Sequence, residues 1–233
     1  MNKKIIVITG ARKGIGKYLS EYYLLKSAVV IGCSRKDGSI RQDNYIHYNV
    51  DVSDEIGVVN MIKEVVKRFK RVDILINNAG IAAMNHIMLT PMDAATDIIK
   101  TNLLGTFIFI REVSKVMARQ KWGRIVNIST IAVPLSLEGE SVYVASKAAV
   151  ENITKIASRE LAPFNITVNT IGIAPLMTDL IKTVPKEKID KIISMMGIKR
   201  LAKYSDVSNV IDFYIKDESD YISGQNIYLG GIC

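Results

Sequence analysis

Three glycines that follow an apolar, strand-like run are the feature that most constrains the fold of this chain of 233 residues. The β-branched run Ile5–Ile8 is typical of a parallel strand that is covered on both faces. Gly10, Gly14 and Gly16 follow it, where a helix would begin. Because glycine accepts positive φ and has no Cβ, the backbone there can turn sharply and come close to a phosphate. We predict a dinucleotide-binding turn, although its G-x-x-x-G-x-G spacing is not the commoner G-x-G-x-x-G.

The composition is that of a folded protein with one sizeable core. Hydrophobic residues make up 48% of the chain and the mean hydropathy is +0.18, which excludes global disorder. We expect a single domain over residues 1–233. The apolar runs are too short for a membrane span or a signal peptide. Cys33 and Cys233, the two cysteines, have no metal-ligand spacing, so we expect a cytoplasmic protein without a metal.

The chain is basic, with a formal net charge of +8. A lysine-rich, solvated surface is the simpler interpretation. Attraction of an anionic substrate or an acidic partner is the alternative. The basic residues are scattered and form no long run or aromatic-interleaved patch, which argues against nucleic acid as a partner.

Apolar strand-like runs alternate with helical patterns along the whole chain. Strands after the first are predicted at Ala28–Cys33, Tyr45–Val50, Val72–Ile76, Gly123–Ile128, Ile166–Ile171 and Asn226–Leu229. Helices are predicted at Lys17–Lys26, from about Ser53 to Phe69, over Met92–Gln120 as one helix or a pair, at Val142–Leu161 and at Asp206–Ile215. This alternation predicts an α/β fold, a Rossmann-type doubly wound parallel sheet of about seven strands with helices on both faces. The Met-rich segment at about 172–203 is predicted to be a substrate lid.

Four landmarks occur in a characteristic order: Thr9-Gly10-x-x-x-Gly14-x-Gly16, then Asn77-Asn78-Ala79-Gly80, then Asn102, then Tyr143-x-x-x-Lys147. Together they resemble the short-chain dehydrogenase/reductase family over almost the whole chain. Within it, the stretches G-R-I-V-N-I-S, V-Y-V-A-S-K-A-A and Y-I-S-G-Q look most like the β-ketoacyl-carrier-protein reductase group. The resemblance implies an oxidoreductase that reduces a ketone to a secondary alcohol with NADPH, on a substrate that a carrier protein can present.

Two other functions stay open at this point. The same machinery serves enzymes that act on a sugar-like or polyketide-type ketone or alcohol. A nucleotide-binding subunit whose catalysis has faded is the third possibility. The family's Pro-Gly after the sixth strand is Ile173-Ala174 here, which favours the third slightly, while intact Asn102, Tyr143 and Lys147 argue against it.

Tyr143 and Lys147 are four residues apart on a predicted helix, so their side chains leave the same face. A phenol with a pKa of about 10 is a poor acid at neutral pH. We expect the Lys147 ammonium to favour the phenolate and so lower the pKa of Tyr143. In this family the tyrosine donates a proton to the substrate carbonyl oxygen.

The resemblance also implies a hydroxyl thirteen residues before the tyrosine, a position that Thr130 occupies here. Ser129 precedes it, and neighbouring strand residues point to opposite faces, so we predict that Thr130 faces the substrate. Asn102 matches the family's asparagine that distorts its helix and holds a water against the catalytic lysine.

Charge at the end of the second strand predicts the cofactor. An acidic residue there would bind the ribose hydroxyls of NAD, but Ser34 and Arg35 stand here, with Lys13 in the glycine turn. Two cations suit the 2′-phosphate of NADP(H). Asp37, two residues past Arg35, argues the other way.

Further cofactor contacts follow from the resemblance alone. They involve the turn, the third strand's end, the Asn-Asn-Ala-Gly segment, the catalytic pair and the segment after the sixth strand: Gly10, Arg12, Lys13, Gly14, Ile15, Gly16, Asp51, Val52, Asn78, Ala79, Gly80, Tyr143, Lys147, Leu176 and Thr178. The resemblance also implies a homotetramer or homodimer. Apolar residues on more than one face of the long helix agree with that: Leu103, Leu104, Phe107, Ile108 and Phe109.

Overall fold

A computed structural model describes residues 3–178 and 184–232. Its seven strands form one sheet with the order β3-β2-β1-β4-β5-β6-β7, and every neighbouring pair is parallel. The strands are β1 Ile5–Thr9, β2 Val29–Ser34, β3 Tyr45–Asn49, β4 Ile74–Asn77, β5 Gly123–Thr130, β6 Ile166–Ile173 and β7 Asn226–Tyr228. The predicted fold class is confirmed.

Helices connect the strands and cover both faces of the sheet. They are α1 Gly14–Leu25, α2 Glu55–Phe69, α3 Met92–Ile98, α4 Gly105–Gln120, α5 Ala132–Leu135, α6 Ser141–Leu161, α7 Lys186–Met195 and α8 Tyr204–Ile215. Short 3₁₀ turns lie at Ile87–Leu89, Ala162–Phe164 and Asp217–Ser219, and a π-helical turn at Ile99–Leu104 joins α3 to α4. Within residues 3–178 and 184–232, no helix is long and apolar enough to cross a membrane.

Alternate residues of β1 enter two different cores, because successive strand residues point to opposite faces. Ile5 and Val7 belong to the core that α2 and α4 cover, together with Phe109. Ile6 and Ile8 belong to the core beneath α1 and α8. The sheet is therefore packed on both faces, which explains why its strands read as continuous apolar runs.

Two strands extend further than predicted, and both extensions reach the site. β5 and β6 pair over their whole length, ending at Thr130 opposite Ile173. Ser129 and Thr130 are therefore the last two residues of β5. The predicted helix over Met92–Gln120 is two helices joined by the π-helical turn. Of the predicted lid at about 172–203, residues 179–183 lie outside the described residues.

Candidate active site

The glycine turn has the backbone that the sequence predicts. Gly10 and Gly14 adopt φ of +68° and +57°, which L side chains rarely adopt. A Cβ on Gly16 would lie 2.3 Å from the Gly10 carbonyl oxygen, so only glycine fits where α1 passes this close to the turn. The turn thus brings the amino end of a helix to the carboxyl end of β1, a geometry suited to phosphate.

A hydrogen-bonded bridge joins the glycine turn to the segment after β4. The Thr9 hydroxyl accepts hydrogen bonds from the backbone N–H groups of Asn78 (3.0 Å) and Ala79 (2.9 Å). The Asn78 side-chain amide donates back to the Thr9 carbonyl at 2.9 Å. Two predicted cofactor segments are therefore held together as one edge of the sheet.

The residues around the glycine turn fit an anionic dinucleotide. The first turn of α1 has no acidic side chain to compete with a phosphate. Arg12 and Lys13 are exposed beside it, and Ile15 is half-buried. The methyl group of Thr178 lies 3.8 Å from the position of a Cβ on Gly14, so this predicted contact residue does lie beside the turn.

At the end of β2, Arg35 is exposed and its neighbours are anchored. The Ser34 hydroxyl donates to the Lys36 carbonyl at 2.6 Å and contacts His47 Nε2 at 2.9 Å. The Asp37 carboxylate accepts a hydrogen bond from the Asn49 side-chain amide at 2.6 Å. The one carboxylate that argued for ribose hydroxyls therefore has a partner within the protein.

The predicted adenine segment follows β3. Asp51 accepts two hydrogen bonds from Ser53, from its N–H at 2.9 Å and from its hydroxyl at 2.7 Å. Val52 is buried, and a Cβ on Gly105 would lie 2.7 Å from its side chain. This contact ties the segment to the start of α4.

Asn102 is fully buried in the π-helical turn. Its side-chain oxygen accepts from the Ile81 N–H at 2.8 Å. Its side-chain amide donates to the Ile81 carbonyl at 2.9 Å and to the Ser146 hydroxyl at 3.0 Å. The helix distortion that the resemblance implies is present, and Asn102 connects the segment after Gly80 with helix α6. A Cβ on Gly80 would lie 3.3 Å from both Asn102 Oδ1 and Lys147 Nζ.

Tyr143, Lys147 and Thr130 come together at the carboxyl end of β5. The Thr130 side chain lies close enough to the Tyr143 phenol to lower its pKa, and its Oγ1 accepts from the Ala132 N–H at 3.1 Å. Lys147 is buried and donates to the Ile128 carbonyl at 2.8 Å. The Ser129 hydroxyl points elsewhere and donates to Glu151 at 2.5 Å. Of the two adjacent hydroxyls, the structure brings Thr130 to Tyr143.

The expected effect of Lys147 on Tyr143 is wrong for this structure. Burial raises the pKa of Tyr143 to about 12, the nearby Glu140 carboxylate adds to the rise, and the interaction with the Thr130 side chain opposes it. Burial lowers the pKa of Lys147 to about 8, against the opposing charge of Glu151. Lys147 directs its ammonium at the Ile128 carbonyl. In the ligand-free protein, burial of the Tyr143 phenol therefore governs its pKa. Tyr143 is therefore protonated at neutral pH.

The family model for the short chain dehydrogenases matches residues 4–189. The chain belongs to the short-chain dehydrogenase/reductase family. It is 35% identical over 243 residues to the 3-oxoacyl-[acyl-carrier-protein] reductase FabG of Staphylococcus epidermidis, covering 99% of this chain and 98% of that protein. It is 30% identical to FabG of Salmonella typhimurium, over 98% of this chain and 96% of that protein.

Two solved structures of this family superpose closely. ElxO with NADP bound matches with a TM-score of 0.90 and 31% identity, covering 98% of this chain and 97% of that one. The ligand-free aldohexose dehydrogenase of Thermoplasma acidophilum also matches with a TM-score of 0.90, at 28% identity, over 99% of this chain and 94% of that one. The likeness covers the complete α/β sheet and its helices.

The family's Pro-Gly turn after β6 is replaced here by buried aliphatic residues. Ile173 is the last residue of β6, and its carbonyl accepts a hydrogen bond from the Ile131 N–H at 3.2 Å. Ala174 packs in a small cluster with Ile131 and Met196. Leu176 is also buried and pairs with Ala202. With these residues, β6 pairs with β5 as far as Ile173, and the segment that follows is held by the contact of Leu176 with Ala202.

An open cleft of about 560 Å³ lies at the start of α6. Its lining comes from two segments, through His86, Ile87, Leu137 and Glu138, and from Val144 on α6. The Asn85 N–H donates to the Gly139 carbonyl at 2.8 Å and joins the two segments.

The motifs did not predict three polar residues of the site: Glu140, Ser146 and Glu151. The sequence does indicate Glu151, because it is four residues after Lys147 and shares its helix face. Ser146 lies within the motif but faces Asn102. Glu140 immediately precedes α6, and the sequence gives no sign that it approaches Tyr143.

Proposed function

We propose that this chain is an NADPH-dependent reductase that converts the ketone of a 3-oxoacyl thioester into a secondary alcohol. The observation that carries the proposal is the meeting of Thr130, Tyr143 and Lys147 at the carboxyl end of β5. Relatives named 3-oxoacyl-[acyl-carrier-protein] reductase cover almost the whole chain and support the substrate class. The basic net charge suits an acidic carrier or an anionic substrate.

In this mechanism, the hydroxyls of Thr130 and Tyr143 bind the substrate carbonyl oxygen. Bound NADPH supplies the hydride to the carbonyl carbon. Negative charge then develops on the oxygen, and Tyr143 transfers its proton there as a general acid. The phenol is protonated at neutral pH, so it holds the proton that the reduction consumes. The Lys147 ammonium lies one helical turn away and stabilises the phenolate that remains.

We further propose that the cofactor is NADP(H). Arg35 and Lys13 are exposed at the end of β2 and in the glycine turn, where they suit a 2′-phosphate. Asp37 is engaged by Asn49 and so does not offer both oxygens to a ribose. The related ElxO binds NADP and shares the fold at 31% identity, which agrees with this choice.

A turnover assay tests the proposed function. Purified protein is mixed with NADPH and a 3-oxoacyl thioester, and nicotinamide oxidation is followed by absorbance. We expect saturable oxidation that depends on the thioester and is weaker with NADH. An absence of oxidation with thioesters and with simple β-keto esters would contradict a reductase and favour a nucleotide-binding subunit.

Oxidation of an aldohexose is the second candidate function. It is favoured by the close superposition on an aldohexose dehydrogenase with a TM-score of 0.90. The same assay separates the two functions when aldohexoses and NADP⁺ replace the thioester and NADPH. Turnover of sugars that exceeds turnover of 3-oxoacyl thioesters would assign the chain to this second class.

Replacement of Thr130 tests its contact with the substrate. Thr130→Ala removes the hydroxyl beside Tyr143 and is expected to lower kcat on the order of a hundredfold, because one donor to the developing oxyanion is lost. Thr130→Ser keeps the hydroxyl and serves as the matched control, with an expected loss below tenfold. Steady-state kinetics decides. If Ser129→Ala lowers kcat more than Thr130→Ala, the substrate contact belongs to Ser129.

The oligomeric state is proposed to be a homodimer or homotetramer. Of the apolar residues in the long helical segment, Ile108 and Phe109 are buried in the core. Leu104 and Phe107 remain 46% and 45% exposed, an apolar pair that a second copy would cover. Light scattering is expected to show at least a dimer, and Phe107→Lys is expected to dissociate it. A monomeric wild type at micromolar concentration refutes this proposal.

A further inference from the structure

A buried carboxylate, Glu151, lies behind the catalytic lysine and has no part in the mechanism so far. It is 9% exposed and occupies helix α6 four residues after Lys147. Residues with this spacing are neighbours on one helix face, roughly 5–6 Å apart at their Cβ atoms. Tyr143, Lys147 and Glu151 therefore form a line along one face of α6, and Lys147 and Glu151 are buried.

Two hydroxyls from different strands fix the Glu151 carboxylate. Ser129 on β5 donates to Oε1 at 2.5 Å, and the Tyr228 phenol on β7 donates to Oε2 at 2.7 Å. The Tyr228 ring reaches this position because it crosses Gly172, where a Cβ would lie 2.1 Å from Tyr228 Cδ1. Ser129, whose hydroxyl binds Glu151, thus gains a role of its own.

Lys147 is a buried ammonium, and Glu151 is the negative charge that acts on it. The ammonium is 4% exposed and donates to the Ile128 carbonyl, which is neutral. A buried ammonium without a counter-charge loses its proton readily. Among the described residues, Glu151 is the charged group whose field favours the ammonium.

The other elements around Lys147 present groups without charge at neutral pH. Asn102 faces it from the π-helical turn, and Gly80 from the segment after β4. Tyr143 lies one turn earlier on α6, and Tyr228 on β7 contacts the Glu151 carboxylate. Glu140 acts on Tyr143 from the start of α6.

We propose that Glu151 is a positioning residue whose carboxylate, held by Ser129 and Tyr228, keeps Lys147 protonated in the buried site. Both carboxylate oxygens of Glu151 accept hydrogen bonds from hydroxyls, so Glu151 acts on Lys147 through its negative charge without a direct hydrogen bond. The Lys147 ammonium stays directed at the Ile128 carbonyl. The kinetic consequence of this inference rests on the proposed function. The protonation state of Lys147 does not.

Glu151→Gln tests the inference with little change of shape. Both partners of the side chain are hydroxyls, which can donate to the amide oxygen and accept from the amide nitrogen. The measurement is the pH titration of the Lys147 Cε signal by NMR in the cofactor-free protein, assigned by its loss in Lys147→Met. Wild type is expected to titrate near pH 8. The Gln variant is expected to titrate about one pH unit lower, a tenfold weaker hold on the proton.

Two further variants serve as controls. Asp212→Asn removes another carboxylate that accepts from two tyrosines, Tyr22 and Tyr23, far from the site on α8. It is expected to leave the Lys147 titration unchanged. Glu151→Asp restores the charge and is expected to raise the midpoint again. If Glu151→Gln does not fold, Glu151→Met fills the same volume without a polar group and carries the same expectation.

The kinetic readout separates this inference from the proposed function. In Glu151→Gln, the alkaline limb of the kcat/KM profile is expected to move to lower pH by the same amount as the NMR midpoint. A Gln variant, or the Met variant in its place, that titrates like wild type overturns the inference even if ketone reduction is normal. A lowered midpoint in a protein that reduces no ketone refutes the proposed function and upholds the role of Glu151.

Discussion

Tyr143→Phe is expected to lower kcat by at least about a hundredfold while NADPH binds with nearly unchanged affinity. The substitution removes the proton donor and keeps the ring, and loss of a positioned acid–base group costs on the order of 10²–10⁴-fold. Burial and Glu140 keep this phenol protonated at neutral pH, so the substitution removes a proton that is present on the wild-type residue. Single-turnover kinetics with a 3-oxoacyl thioester and fluorescence titration with NADPH measure the two quantities.

Tyr221→Phe is the matched control for this substitution. Tyr221 is 99% exposed, so loss of its hydroxyl is expected to leave both kcat and NADPH affinity unchanged. If Tyr143→Phe keeps a kcat within tenfold of wild type, Tyr143 is not the acid. If it loses NADPH binding as well, its main role lies in holding the cofactor.

The second large effect concerns cofactor choice. Wild type is expected to bind NADPH at least about tenfold more tightly than NADH, because a charge-assisted hydrogen bond contributes about 1.5–3 kcal/mol. Ser34→Asp combined with Arg35→Ala removes the cation and adds a like charge, so the preference is expected to invert. Added salt should narrow the wild-type difference, because both cations are exposed. Dissociation constants from fluorescence titration provide the test.

Arg68→Ala is the control for net charge. Arg68 is exposed on α2, away from the glycine turn. Its substitution removes the same positive charge as Arg35→Ala, so the preference for NADPH should persist. Equal binding of both cofactors by wild type would contradict the assignment. It would indicate that Asp37 leaves Asn49 and binds the ribose hydroxyls instead.

The fold and the main site could be predicted because their signals are local. Hydrophobic periodicity predicted seven strands. The alternation of strand side chains allowed only one of Ser129 and Thr130 to face the site, and the family's spacing of thirteen residues before Tyr143 selected Thr130. The ends of β5 and β6 were predicted two residues short, because Thr130 and Ile173 extend the strands by pairing with each other. Pairing between strands far apart in sequence leaves little trace in either strand alone.

The electrostatics of the site could not be predicted from motifs. The sequence indicated that Lys147 would lower the pKa of Tyr143, yet that pKa rises because burial and Glu140 dominate. Desolvation depends on how tightly the folded protein packs around the site. The spacing of Tyr143 and Lys147 in the sequence gives no information about that packing. Likewise, Glu151 meets Tyr228 across 77 residues of chain, through a sheet order that no local pattern specifies.

Transfer of deuterium from the nicotinamide to a ketone is the most direct test of the central claim. Protein is incubated with NADPH that carries deuterium at the reacting position and with a 3-oxoacyl thioester, and the product is analysed by mass spectrometry. The account predicts a secondary alcohol with one deuterium on its carbinol carbon, formed by wild type and nearly abolished in Tyr143→Phe. Bound NADPH with no labelled alcohol from the thioester would contradict it.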